Sequence, residues 1–170
     1  MTKIDLRPDC ASCAALCCVA LAFDRSSMFA IDKPAGQACP HLDDCGACSI
    51  HDEREARGFA GCIAFDCLGA GQRATQLCPV DSGVNMDGTL AKSLAQAFGN
   101  LLRAHEHLLL LDLAERLDMS HIERHALAEL RDALVDAGID GRKIAAARSR
   151  IDSFLKGLKS YVDGQAIALR

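Results

Sequence analysis

The sequence predicts a mainly α-helical protein in two parts: a small irregular cysteine-rich domain over about residues 1–80 and an antiparallel three-helix bundle over residues 87–170. Three observations predict it. All ten cysteines precede residue 79, and the remaining 92 residues hold none. The front half is punctuated by glycine and proline and sustains no period, whereas leucine and alanine recur at helical spacing from Thr89 onward. The back half also carries explicit helix start and stop signals.

Taken in order, residues 1–9 read as a short arm and residues 10–23 as an Ala- and Cys-rich helix ending near Phe23-Asp24. In such a helix Cys10, Cys13 and Cys17 stand at i, i+3 and i+7 on one face, with Cys18 rotated by about 100° from Cys17. Residues 24–47 contain the turn formers Asp32-Lys33-Pro34-Ala35-Gly36 and Cys39-Pro40-His41. Residues 49–57 suit a short helix capped by Ser49 or Asp52. Gly58, Gly61, Gly69 and Gly71 then mark an irregular stretch holding Cys62 and Cys67, and residues 79–88 read as a linker. Leu90, Leu94, Ala97, Leu101, Leu102, Leu108, Leu109 and Leu113 keep one face to about Leu117, a helix about 43 Å long with Gly99 as a candidate interruption. Ser120-His121-Ile122-Glu123 is a capping box. Its helix carries Leu127, Leu130 and Leu134 and stops at Gly138. The third helix starts near Asp140 and presents Ile144, Ala147, Ile151, Phe154, Leu155, Leu158 and Tyr161 before Gly164. Short connections between three helices make them antiparallel neighbours.

Composition narrows the chemistry. Half the chain is hydrophobic, but there is no Trp and one Tyr, and the cysteine-rich part is poorly equipped to bury a core unaided. A structural metal, at about 10–16 kcal/mol for small thiolate sites, supplies that deficit; docking on the helical half is the other source. Net charge is −4, and residues 1–86 carry 7 Lys/Arg against 11 Asp/Glu. That balance argues against nucleic acid, whose phosphates need a cationic surface. No run approaches the roughly 20 apolar residues of a membrane span. No basic segment followed by an apolar stretch opens the chain, so the expected location is cytoplasmic. Thiols there stay reduced, which favours metal over disulfides.

The residues then resemble a known family. Cys10-x-x-Cys13-x-x-x-Cys17-Cys18, Cys39-Pro40-His41-Leu42, Cys48-Ser49-Ile50-His51, Arg57-Gly58-Phe59-Ala60-Gly61-Cys62 and Asp66-Cys67 are similar to the CxxCxxCC zinc- or iron-chelating domains, the YkgJ-like proteins. Asp9-Cys10, Cys17 to Leu21, Phe29 to Gly36 and Gly69 to Arg73 look most like the version found ahead of bacterial pentapeptide repeats. The match covers about residues 9–73. It implies metal ligation by Cys10, Cys13, Cys17, Cys18, Cys39, Cys48, Cys62 and Cys67. Cys45 has no clear counterpart in the family and Cys78 lies beyond the match; both read as a small hydrophobe or a spare thiol.

Eight thiolates suit two tetrahedral zinc sites, and four suffice for a [4Fe–4S] cluster; a related cysteine pattern in flagellin lysine methylases keeps the cluster in view. Zinc is the favoured ion, with an iron–sulfur cluster or iron as the alternative; copper(I) would want more methionine. His51 and His41 suit packing or hydrogen bonding, and His121 and His125 suit the surface. Gly69-Ala70-Gly71-Gln72 suits a closing turn rather than an anion nest. Arg54, Arg57 and Asp66 flank the ligands, where they serve either as hydrogen-bonding support or as surface charge. No nucleophile triad stands out. The leading expectation is a non-enzymatic metal-binding or interaction module whose helical half meets a protein partner or a second copy. The alternatives are an iron–sulfur redox or modifying enzyme, and a metal store or thiol redox sensor.

Overall fold

The structure, a computed structural model, describes residues 4–78 and 88–161, and for residues 88–91 the backbone only. It is mainly helical, as expected: α1 Leu16–Ala20, α2 Ala60–Ala64, α3 Ala70–Leu77, α4 Gly88–Ala114, α5 His121–Asp136 and α6 Gly141–Gly157, with 3-10 turns at Cys10–Ser12 and His51–Glu53. Pairing of extended backbone among the described residues is limited to two isolated antiparallel bridges, Phe23 with Lys33 and Leu42 with Cys48. No helix there is long and apolar enough to cross a membrane.

Packing divides the chain inside α4, with one compact unit running to Leu102 and the other starting at Arg103. The expected boundary between residues 80 and 87 therefore moves, and most of the expected linker lies outside the described residues. The physical reason is burial. Leu94, Ala97, Phe98 and Leu101 on the first part of α4 close a core with Leu16, Ala70 and Ala74, all at most 3% exposed. The cysteine-rich segment, short of apolar residues, completes its core with part of this long helix.

Within the first unit, the single helix expected over residues 10–23 is replaced by two short pieces. Asp9 Oδ1 accepts from Ala11 N (3.1 Å) and Ser12 N (3.3 Å), which caps the 3-10 turn. Ala15 then takes a left-handed conformation (φ 54°), breaking the helix before α1. The helix expected over 49–57 shrinks to the His51–Glu53 turn, capped by neither Ser49 nor Asp52. The stretch expected to be irregular contains α2 and α3 instead. Gly69 (φ 76°) is the left-handed residue at which α3 begins. Gln72 on α3 clamps the N-terminal arm, donating to Arg7 O (2.8 Å) and accepting from Asp9 N (3.2 Å). Thr75 Oγ1 accepts from Ala14 N (3.0 Å), so α3 is the scaffold on which residues 9–14 are laid.

The second unit holds the rest of α4 with α5 and α6. The Ser120–Glu123 capping box forms in both directions, and Asp140 caps α6 through Arg142 N and Lys143 N. Leu127, Leu130, Leu134, Ile144, Ala147, Ile151 and Leu158 are buried as the spacing predicts. On α4, Leu94, Ala97, Leu101 and Leu108 are buried as the spacing predicts, but Leu109 and Leu113 are exposed, and Leu111 and Ala114 are buried in their place. Gly99 does not interrupt the helix. Arg131 of α5 reaches Asp112 (2.8 Å) and Glu115 (3.1 Å), and His107 Nε2 meets Asp152 of α6 (3.1 Å), tying the three helices together. His121 and His125 are exposed, as expected.

Candidate metal centre

The cysteine-rich unit builds a cavity of about 480 Å³ whose wall includes Cys10, Cys13, Cys17, Cys18, Cys39, Cys48 and Cys62. Seven of the eight expected ligands thus face one space. The eighth, Cys67, is not part of that wall. A Cβ added to Gly71 would lie 2.6 Å from Cys13 Sγ, which occupies the room this glycine leaves, and 3.9 Å from Cys67 Sγ, so the two sulfurs are neighbours across α3.

Each thiol arrives by a local device. Cys10 and Cys13 bracket the capped 3-10 turn, with Cys13 N donating to Cys10 O (3.3 Å). The left-handed Ala15 restarts the helix so that Cys17 and Cys18 follow on α1 with their sulfurs 4.0 Å apart. Asp43 Oδ1 accepts from Cys45 N (2.9 Å) and Ala47 N (2.8 Å), and Gly46 (φ 78°) lets the chain fold back. That turn pairs Leu42 with Cys48 and returns the chain toward Cys39, while Cys39 N donates to Cys18 O (3.0 Å). Cys62 rides on α2, anchored because Gly61 lies flat on the Phe29 ring. Beneath the thiols Phe23 stacks on Phe29 (4.2 Å), and Phe59 meets Phe23 and His41 edge-on. Asp66 accepts from Leu68 N (2.7 Å) and shapes the turn between Cys67 and α3.

The remaining candidates sort by place. Cys45 is exposed and away from the cavity wall, and Cys78 packs partly against the apolar core. His51 is exposed and pairs with Asp52 (3.0 Å). Arg57 pairs with Glu53 (2.7 Å) at the surface, whereas Arg54 lines the cavity and its Nε donates to His51 O (2.7 Å). Gly69-Ala70-Gly71-Gln72, expected as a turn, is the entry to α3.

All ten cysteines are free thiols. Among the described residues no group of three or more His, Cys, Asp or Glu side chains is close enough together to hold a metal ion as it stands. The sulfurs nevertheless fall into two neighbourhoods. Burial pushes the Cys10 and Cys13 thiols up, and charge on Cys17 and Cys67 adds to both shifts. Burial also pushes Cys62 up, with Cys39, Cys17 and Cys48 as its charged neighbours. Cys17 and Cys18 join the two groups. The Cys18 thiol beside it brings Cys17 down to about 6, and the same contact, followed by burial, drives Cys18 strongly up. Thiolates packed this closely repel, so full ionisation requires a cation among them. The donor set fits a soft one. The Cys17 and Cys18 sulfurs stand 4.0 Å apart, far beyond the roughly 2.05 Å of a disulfide.

One buried cation already stands beside the thiols. Lys33 is 3% exposed and donates to Gln37 O (2.8 Å), Val19 O (3.3 Å) and Pro34 O (3.3 Å). A lone lysine among turn residues gave no signal for this in the sequence.

No family model matches the chain, and no solved structure matches it. It is similar to the uncharacterized protein YybG of Bacillus subtilis (strain 168), with 36% identity over 116 residues. The aligned part is 68% of this chain and 42% of that relative, so the chain spans less than half the relative's length.

Proposed function

We propose that residues 10–67 form a cysteine-thiolate metal centre, with zinc as its ion, in a protein that works as a non-enzymatic metal-binding module. The observation that carries this reading is the convergence of seven expected ligands on one cavity with Cys67 beside Cys13. The two neighbourhoods support two sets of four: Cys10, Cys13, Cys17 and Cys67, and Cys18, Cys39, Cys48 and Cys62. Zinc in each set would be closed to further ligands and would cross-link a segment of 3-10 turns and isolated bridges that has little ladder of its own. A second reading, an iron–sulfur protein with redox or modifying activity, is favoured by the cavity itself. Leu21, Phe29, Ile50 and Phe65 share its wall with the thiols and Arg54, a lining suited to an apolar molecule beside a cluster.

Metal analysis with a visible spectrum, on protein purified anaerobically, tests both. About two zinc per chain without a visible band supports the thiolate module. About four iron with acid-labile sulfide and broad visible absorption moves the reading to the cluster. Reduced, folded protein that holds no metal overturns both.

A further inference from the structure

Burying an ammonium is costly unless an anion accompanies it. Lys33 is buried, yet among the described residues no carboxylate forms an ion pair with it. Its three protons are used on the carbonyls of Val19, Pro34 and Gln37, and the Phe23 ring lies 5.5 Å from Nζ. Those contacts satisfy hydrogen bonding and leave the charge unmatched. The position of the carbonyls identifies the missing anion. Val19 follows Cys18, Gln37 stands two residues before Cys39, and Cys39 N is bonded to Cys18 O. The ammonium therefore sits against the two backbone stretches that deliver Cys18 and Cys39. Burial pushes the Lys33 ammonium below its ordinary value, and the charged groups that oppose this are Cys39, Cys18 and Cys17.

We propose that Lys33 is the internal counter-cation of the thiolate centre, a positioning residue whose charge offsets the anion formed when Cys18, Cys39, Cys48 and Cys62 hold a divalent ion. The inference rests on the metal-centre reading above. Four thiolates around a divalent ion keep a net charge of about −2. Arg54 also acts on Cys10, Cys17 and Cys62, but it is only partly buried and water screens it. Lys33 is shielded from water and screened far less.

The test is Co2+ affinity of the reduced full chain, measured against a competing chelator, for wild type, Lys33→Gln, Lys33→Met and Lys33→Arg. Lys33→Gln and Lys33→Met should both bind roughly 10- to 100-fold more weakly, and Lys33→Arg should stay within about threefold of wild type. In iron-loaded protein, Lys33→Gln should move the midpoint potential to more negative values, because the reduced centre carries more negative charge. A purely structural lysine would leave the potential in place. Lys33→Gln with unchanged affinity overturns the inference, as does Lys33→Arg failing as badly as Lys33→Met. A wild-type chain that binds no Co2+ overturns the metal centre itself, a separate result.

Discussion

Gly71 lies inside α3, where glycine costs about 1 kcal/mol relative to alanine, yet alanine has no room there. Its Cβ would stand 2.6 Å from Cys13 Sγ. Gly71→Ala should therefore favour the helix while displacing Cys13. Bound zinc is expected to fall from about two to about one per chain, read by metal analysis, with far-UV helicity retained. Full loading of a folded Gly71→Ala protein would show that this approach is not needed for ligation. Single serine substitutions extend the argument. Cys67→Ser and Cys48→Ser should each lose one ion from different sets, whereas Cys78→Ser, on a thiol packed against the apolar core, should lose none. Loss of both ions from either ligand variant would make the eight sulfurs one centre rather than two. The thiols were legible in the sequence because their order and flanks are distinctive. The role of Gly71 was not, since glycine spacing alone cannot distinguish a turn from a helix pressed against sulfur.

Among the elements, α5 and α6 follow from local chemistry. Their caps are side chains a few residues from the backbone groups they satisfy, so the signal is complete within one turn of sequence. The left-handed Ala15 carries no such signal. An alanine there reads as helix, and only the docking of residues 9–14 on Gln72 and Thr75 holds the break open. Ser120→Ala should lower the stability of the helical unit by about 1 kcal/mol in urea denaturation followed by circular dichroism; an unchanged midpoint would mean the box is redundant. The same caps give a pH dependence. Hydrogen bonds from Ser120 and then Tyr161 hold the Glu123 carboxyl below its ordinary 4.5, and the Lys143 and Arg142 amides hold Asp140 below its ordinary 3.8. With folded values depressed, the stabilisation is complete above the unfolded values and is lost as pH falls through the folded ones. The urea midpoint should therefore drop on acidification below about pH 4.5, and drop less in Ser120→Ala. An equal acid loss in both proteins would place the titrating groups elsewhere.

Across the whole chain the two units are stabilised by different means, and metal removal should separate them. The second unit buries Leu108, Leu111, Leu127, Leu130, Leu134, Ile144, Ile151 and Leu158, the ordinary apolar core of a helical bundle. In the first, the main apolar cluster lies on α1, α3 and the start of α4, with Ile50 and Phe59 buried apart from it, while residues 24–57 carry two isolated bridges, a 3-10 turn and a few turns. Periodicity made the bundle readable, since each helix announces its face every three or four residues. The path of residues 24–57 has no period to read, because it is built from turns and isolated bridges such as the Asp43 turn and the Leu42–Cys48 pair. A zinc–thiolate contribution on the order of 10–16 kcal/mol equals the total stability of a typical domain, about 5–15 kcal/mol. Chelation under reducing conditions should then release residues 24–68 while leaving residues 103–161 protected. Amide hydrogen exchange with and without a chelator measures this directly. Exchange should rise by several orders of magnitude over residues 24–68 and change little over α5 and α6. If the loops stay protected without metal, the aromatic floor of Phe23, Phe29 and Phe59 holds them by itself. The cysteines would then be tenants of a fold they do not make.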